Sequence, residues 1–89
     1  MSFTDKRDAS RFELAVDGQV AFANYRRGPD LIEILHVEAP PALRGTGAAG
    51  KLMEEIMEAA RLEGAKIRPI CGYAFAWMRR HPTHHDLLA

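Results

Sequence analysis

One cysteine in 89 residues excludes an internal disulfide, so packing alone must hold this chain together. No apolar run approaches the roughly 20 residues that a membrane-spanning helix requires, and no membrane partner is expected. No sign of charge dominates. Twelve basic side chains balance twelve acidic ones, which gives no footprint for nucleic acid or an anionic lipid surface. Met1 to Ser10 alternates charges and lacks the apolar centre of a secretory signal, so the expected location is cytoplasmic. A chain this short has no room for a second domain.

What is present is a globular balance, 47% hydrophobic and 27% charged. A domain of this size buries only about 60% of its unfolded surface, so its stability should be modest and should rise measurably on ligand binding. Residues 1–10 read as a flexible N-terminal tail, and 11–89 as a single domain. Arg11 to Asp17 alternates polar with apolar side chains, as a half-buried strand does. Asp17-Gly18 marks a hairpin turn. Gln19 to Arg27 continues as a strand with Ala21, Ala23 and Tyr25 on one face, and Val20, Phe22 and Asn24 on the other. After Gly28-Pro29-Asp30, Leu31 to Glu38 makes a third strand. Its Ile32, Ile34 and His36 share one face, and Leu31, Leu35 and Val37 share the other. Apolar residues on both faces predict a central strand covered on each side.

From Ala48 to Glu63 the period becomes helical. Leu52, Ile56 and Ala59 form a stripe with Met53, Met57 and Ala60 beside it, and Gly64 is placed to end the helix. Lys66 to Cys71 is a further strand, and a strand–helix–strand of this length predicts a right-handed crossover with parallel pairing. Pro69 suits an edge, or a place where strands part. Tyr73 to Arg80 reads as a short helix stopped before Pro82, with a last turn near His84 to Leu88.

The run Arg44-Gly45-Thr46-Gly47-Ala48-Ala49-Gly50-Lys51 joins the third strand to the long helix. Small residues permit close backbone approach, and the unpaired amides of a first helical turn point at an anion. As G-x-x-x-x-G-K, Gly45 to Lys51 fails as a nucleoside-triphosphate loop, because Leu52 supplies no hydroxyl for Mg²⁺. As G-x-G-x-x-G, Gly45, Gly47 and Gly50 lack the acid that should follow at the end of the next strand. Glu63 has near the right spacing but sits in the helix, and the next strand ends in Cys71-Gly72. As R-x-x-G-x-A, Arg44, Gly47 and Ala49 resemble the pyrophosphate loop of the GNAT superfamily of N-acetyltransferases. Leu35-His36-Val37 and Pro40 before it, Lys51-Leu52 after it, and the tail Ile70-Cys71-Gly72-Tyr73-Ala74, Trp77 and His81-Pro82 to Leu88 resemble its very small single-domain members.

The resemblance spans Arg11 to Leu88 and implies an α/β fold: three antiparallel strands, a central helix, a parallel fourth strand and short C-terminal helices. It implies acetyl-CoA as cosubstrate, its diphosphate held by Arg44, Gly45, Thr46, Gly47, Ala48, Ala49, Gly50 and Lys51, with Val37 beside the pantetheine arm. It implies transfer of acetyl to an amine of a protein or small molecule that the sequence does not identify. Helices that usually wall the acceptor pocket are replaced by Asp17-Gly18, so that pocket should be open. The alternative is a CoA-binding module without turnover.

Parallel neighbours bring their C-terminal ends together, which predicts that His36 and Cys71 approach each other near the loop. An imidazole suits proton abstraction from an amine, and Glu33 is the reserve base. The Cys71 thiol suits either covalent acyl capture or protonation of the departing CoA sulfur. Packing is the competing role for Cys71 and His36 alike. His81, His84 and His85 lack the accompanying cysteines or carboxylates of a metal site, and no metal is expected. Tyr73, Phe75 and Trp77 are expected to pack on the sheet, Arg79 and Arg80 to be solvated, and the protein to be a monomer or weak dimer.

Overall fold

A computed structural model describes residues 1–89. The element order is β1 (Ser2–Lys6), β2 (Arg11–Val16), β3 (Gln19–Gly28), β4 (Leu31–Glu38), α1 (Ala48–Glu63), β5 (Lys66–Pro69) and α2 (Gly72–Arg79). Short 3₁₀ turns lie at Arg7–Ala9, Pro41–Leu43 and Pro82–Leu87. One mixed sheet takes the strands in chain order, antiparallel from β1 to β4, with β5 parallel to β4. The α/β class and the parallel crossover are as the sequence predicts. No helix is long and apolar enough to cross a membrane.

The N-terminal residues depart from expectation. Ser2 to Lys6 is not a tail but an edge strand, paired with β2 from Ser2↔Ala15 to Lys6↔Arg11, so four antiparallel strands precede the helix rather than three. Its alternating charges disguise it, because only Phe3 carries apolar weight; that ring stacks on Phe12 with centroids 5.7 Å apart. The β2–β3 turn forms as Asp17-Gly18 predicts, with φ positive at both residues (49° and 77°), the backbone that matches strand twist in a two-residue hairpin.

The inner sheet face is Phe12, Leu14, Ala21, Ala23, Tyr25, Ile32, Ile34 and Ile67, all buried. Against it α1 sets Leu52, Met53, Ile56, Met57 and Ala60, and α2 adds Ala74, Trp77 and Met78. Each large side chain so buried contributes about 1.5–3 kcal/mol before chain entropy is set against it. Gly64 closes α1 at φ 72°, donating its amide to the Arg61 carbonyl while Ala65 donates to Ala60.

With the helices gathered over the inner face, the outer face stays open. This corrects the expectation that β4 is covered on both sides: Leu31 and Leu35 are only half-buried. A register shift opposite Asn24 and Tyr25 leaves Leu35 without a partner, since Asn24 faces His36 and Tyr25 faces Ile34. This bulge reverses the phase of β4 beyond Ile34. Val37 therefore turns inward against the core, and His36 and Glu38 turn outward.

Candidate functional site

The β4–β5 ladder stops at Ile34↔Pro69. The next two amides of the departing chain, Ile70 and Cys71, both donate to the Ile34 carbonyl, at 2.9 and 3.2 Å. Beyond that point the strands part, as Pro69 foreshadows. Val37, Glu38 and Ala39 form one wall of the resulting cleft, Tyr73 faces them from α2, and Arg44 and Ala49 close the end; the opening measures about 340 Å³. An adjoining recess is lined by Ala39, Leu43, Arg44, Gly45, Gly47, Ala48, Ala49, Gly50 and Tyr73.

The loop owes its shape to two glycines, Gly45 at φ 79° and Gly47 at φ 85°, backbone that a side chain strains. The Thr46 amide and hydroxyl both donate to the Leu43 carbonyl, and the Thr46 oxygen accepts from the Ala48 amide at 3.3 Å. The first helical hydrogen bond runs from Lys51 to the Gly47 carbonyl. The amides of Gly45, Gly47, Ala49 and Gly50 have no partner in the protein. Arg44 is steered toward the cleft by a 3.3 Å bond from its Nε to the Ala39 carbonyl. The loop thus combines free donors, the Arg44 cation and the positive end of a 16-residue helix, a set that fits a diphosphate, while Lys51 lines a separate opening with Met1, Val16 and Thr46. Gly50 is tighter on its other side: a Cβ there would stand 3.5 Å from Trp77 Nε1.

His36 and Cys71 are not brought together. Cys71 is half-buried and turned to the inner face, where it packs against the core and its sulfur caps α2 by accepting from the Ala74 amide at 3.4 Å. His36 lies on the outer face, more than half exposed, with its Nε2 3.1 Å from the Glu38 carboxylate and its ring 6.2 Å from that of Phe22. The bulge at Leu35 separates it from Ile32 and Ile34, whose face it was expected to share. Glu33, the expected reserve base, is engaged on the outer face by two arginines. Hydrogen bonds from Arg26 (2.6 Å) and Arg68 (3.3 Å) hold its carboxyl below the usual carboxylate range.

Three cleft residues, Glu38, Ala39 and Tyr73, escaped the sequence, and two of them carry polar groups. Glu38 lines the opening and its carboxylate lies 3.1 Å from His36; the signal was its place two residues beyond His36 on the same strand face. Tyr73, expected to pack on the sheet, lines both the cleft and the recess, and burial raises its hydroxyl pKa. Its signal was adjacency to Cys71-Gly72 at a helix start. Trp77 does pack as expected, stacked on His81 with centroids 3.8 Å apart. The other histidines serve the tail: His84 meets Glu54 and Arg61, and His85 meets the Met78 carbonyl. Glu63, excluded as a ribose ligand, pairs with Arg27 and Arg7.

The fold is similar to the solution structure of a GCN5-like protein from Staphylococcus aureus, at TM-score 0.77 and 23% identity, over 99% of this chain and 87% of that one. Comparison with curated proteins finds no match. The sequence model described as GCN5-related N-acetyl-transferase matches residues 11–87, nearly the whole length, and the protein belongs to that family.

Proposed function

We propose that this protein is an acetyl-CoA-dependent N-acetyltransferase. The observation that carries the proposal is the set of four unpartnered amides, of Gly45, Gly47, Ala49 and Gly50, residues that line the recess adjoining the cleft between β4 and β5. These amides hold the CoA diphosphate, with Thr46 and Ala48 shaping the loop and Arg44 and Lys51 supplying charge. The pantetheine arm lies along Val37, Glu38 and Ala39, opposite Tyr73.

The acceptor amine approaches from the open outer face. His36, oriented by Glu38, takes a proton from the amine; the nitrogen attacks the thioester carbonyl and the C–S bond breaks. Tyr73, which lines the cleft opposite, offers its hydroxyl as a hydrogen-bond donor to the departing thiolate; the thiolate takes a proton from solvent and His36 releases the amine's proton to solvent. In the covalent alternative the Cys71 thiolate attacks first and the acetyl group passes from its sulfur to the amine. The inward position of Cys71 favours the direct route. The second reading is a CoA-binding module without turnover, since the unpartnered amides that carry the proposal bind CoA whether or not an acceptor follows.

Calorimetry with CoA, ATP and NAD, followed by thioester loss against amine and peptide panels, tests the proposal. CoA binding with amine-dependent thioester loss is expected. Binding without loss to any acceptor favours the module, and absence of CoA binding overturns both. Intact mass after incubation with acetyl-CoA alone decides the route: an acetyl adduct absent from Cys71→Ser supports the covalent one.

A further inference from the structure

Strand register orders the open outer face into rows. Lys6 stands across from Arg11, Arg11 from Asn24 and Asn24 from His36, so one row crosses β1 to β4 and ends beside the cleft. It holds three basic side chains and an amide, and no acid. Like charges set directly opposite, as Lys6 and Arg11 are, weaken a sheet. The acids stand in the next row, Glu13 and Glu38. Glu38 pairs with His36. Glu13 is shared by Lys6 and Arg11 at 3.8 and 3.7 Å, too far for a hydrogen bond, and one carboxylate between two cations leaves a positive surplus.

Arg11 is held in place without being used. Its guanidinium lies 3.6 Å from the centroid of the Phe22 ring, and that ring also faces the His36 ring at 6.2 Å. The buried Arg11 Nε has no hydrogen-bond partner, and the side chain is one-third exposed. By contrast, the other two arginines of this face, Arg26 and Arg68, both donate to Glu33. A positioned guanidinium with its hydrogen bonds unspent is a receptor for an anion.

We propose that the acetyl acceptor carries a carboxylate set apart from its amine, received by Arg11 while the amine meets His36. The planar fork of a guanidinium matches a carboxylate with two parallel N–H···O bonds. Two strand spacings, about 10 Å, separate Arg11 from His36 in the row, so the carboxylate belongs several atoms from the nitrogen rather than on the adjacent carbon. A long amino-carboxylic acid has that reach, and so does the N-terminus of a peptide whose next residues are acidic. Lys6, at the far end of the row, adds attraction for a second carboxylate. This inference rests on the acetyl-CoA reading of the cleft.

The test pairs acceptors that differ only in the carboxylate. One pair is 6-aminohexanoate and 6-aminohexanamide; the other is a glycine-led peptide with two glutamates and the same peptide with two glutamines, which tells a peptide from a free acid. At low salt, kcat/KM is expected to be about fivefold higher for the carboxylate member of at least one pair, carried mainly by KM and shrinking as salt is raised. Arg11→Met keeps a stem over Phe22, removes the guanidinium and should bring that ratio below about twofold. Arg68→Gln removes one charge from the same face outside the row and should leave the ratio above about threefold. A ratio near one in both pairs, a ratio unchanged in Arg11→Met, or an equal fall in both variants overturns the assignment. Backbone amide shifts with CoA present give a readout independent of turnover: 6-aminohexanoate or the glutamate peptide should move Arg11, and their neutral counterparts should not. CoA shifts at Gly45 to Gly50 without a carboxylate-dependent shift at Arg11 would overturn this inference and leave the CoA reading standing. No CoA shifts would overturn both.

Discussion

The Tyr25 hydroxyl donates a 2.6 Å hydrogen bond to Asp5, fastening β1 to a strand that is not its neighbour. Arg27 reinforces the fastening by donating to Asp5 at 2.8 Å while also pairing with Glu63 at the end of α1. The N-terminal strand is thus tied to the sheet and, through Arg27, to the helix. Tyr25→Phe should lower unfolding free energy by about 1–2 kcal/mol in urea titrations, because it leaves Asp5 short of a charge-assisted partner. Were residues 1–10 a loose tail, the substitution would be silent.

Gly47 and Gly50 should behave oppositely. At Gly47, φ 85° makes alanine cost about 1–2 kcal/mol, and the loop that relaxes the strain should lose CoA affinity by at least tenfold. At Gly50 the backbone is helical and the new methyl makes ordinary contact with Trp77. Gly50→Ala should therefore match or exceed the parent by up to about 1 kcal/mol and retain CoA affinity within about threefold. Thermal melts with and without CoA separate the two. A large affinity loss in Gly50→Ala at unchanged stability would mean that the ligand approaches on the Gly50 side.

The Cys71 sulfur occupies the position of a helix N-cap, where an oxygen serves better than sulfur. Cys71→Ser should hold or slightly raise stability, and Cys71→Ala should lower it by about 0.5–1 kcal/mol. A Ser variant that keeps its stability and its turnover shows that the thiol is there for the fold. One that keeps stability and loses turnover assigns the sulfur to chemistry.

What was legible follows the range of the interactions. The bounds of β4 and α1 emerge from apolar periodicity and from Gly64, all of which act within a few residues. The loop Arg44 to Lys51 was equally plain, since glycine at positive φ leaves its mark in composition. β1 was hidden because Tyr25, Phe12 and Arg27, which hold it, are distant in sequence. The outward turn of His36 was hidden for another reason. Strict alternation places it with Ile32 and Ile34, and the bulge at Leu35 that breaks the alternation involves neither glycine nor proline. That one extra residue also separated His36 from Cys71 and brought Glu38 to the cleft instead.

Acid should loosen the open face and the C-terminal turn before it reaches the core. Glu33 is held below its ordinary value of 4.5 chiefly by the hydrogen bond from Arg26, and Asp86 below 3.8 chiefly by that from Arg61. A carboxyl whose folded pKa is depressed binds more protons unfolded than folded. Its contribution is therefore fully present above the unfolded value and is lost as pH falls through the folded one. Melting temperature should be flat with respect to these two groups from pH 7 to about 5.5 and should decline progressively from about pH 5 downward. Both carboxyls are solvated, so each slope should be shallow and should flatten further in high salt. Glu33→Gln and Asp86→Asn should each start lower at pH 7 and fall less steeply below pH 5. Asp86→Asn should in addition release the C-terminal turn that Arg61 and Lys66 hold, read as faster amide exchange at Leu88 and Ala89. Parallel acid profiles for parent and variants would assign the decline to other carboxyls.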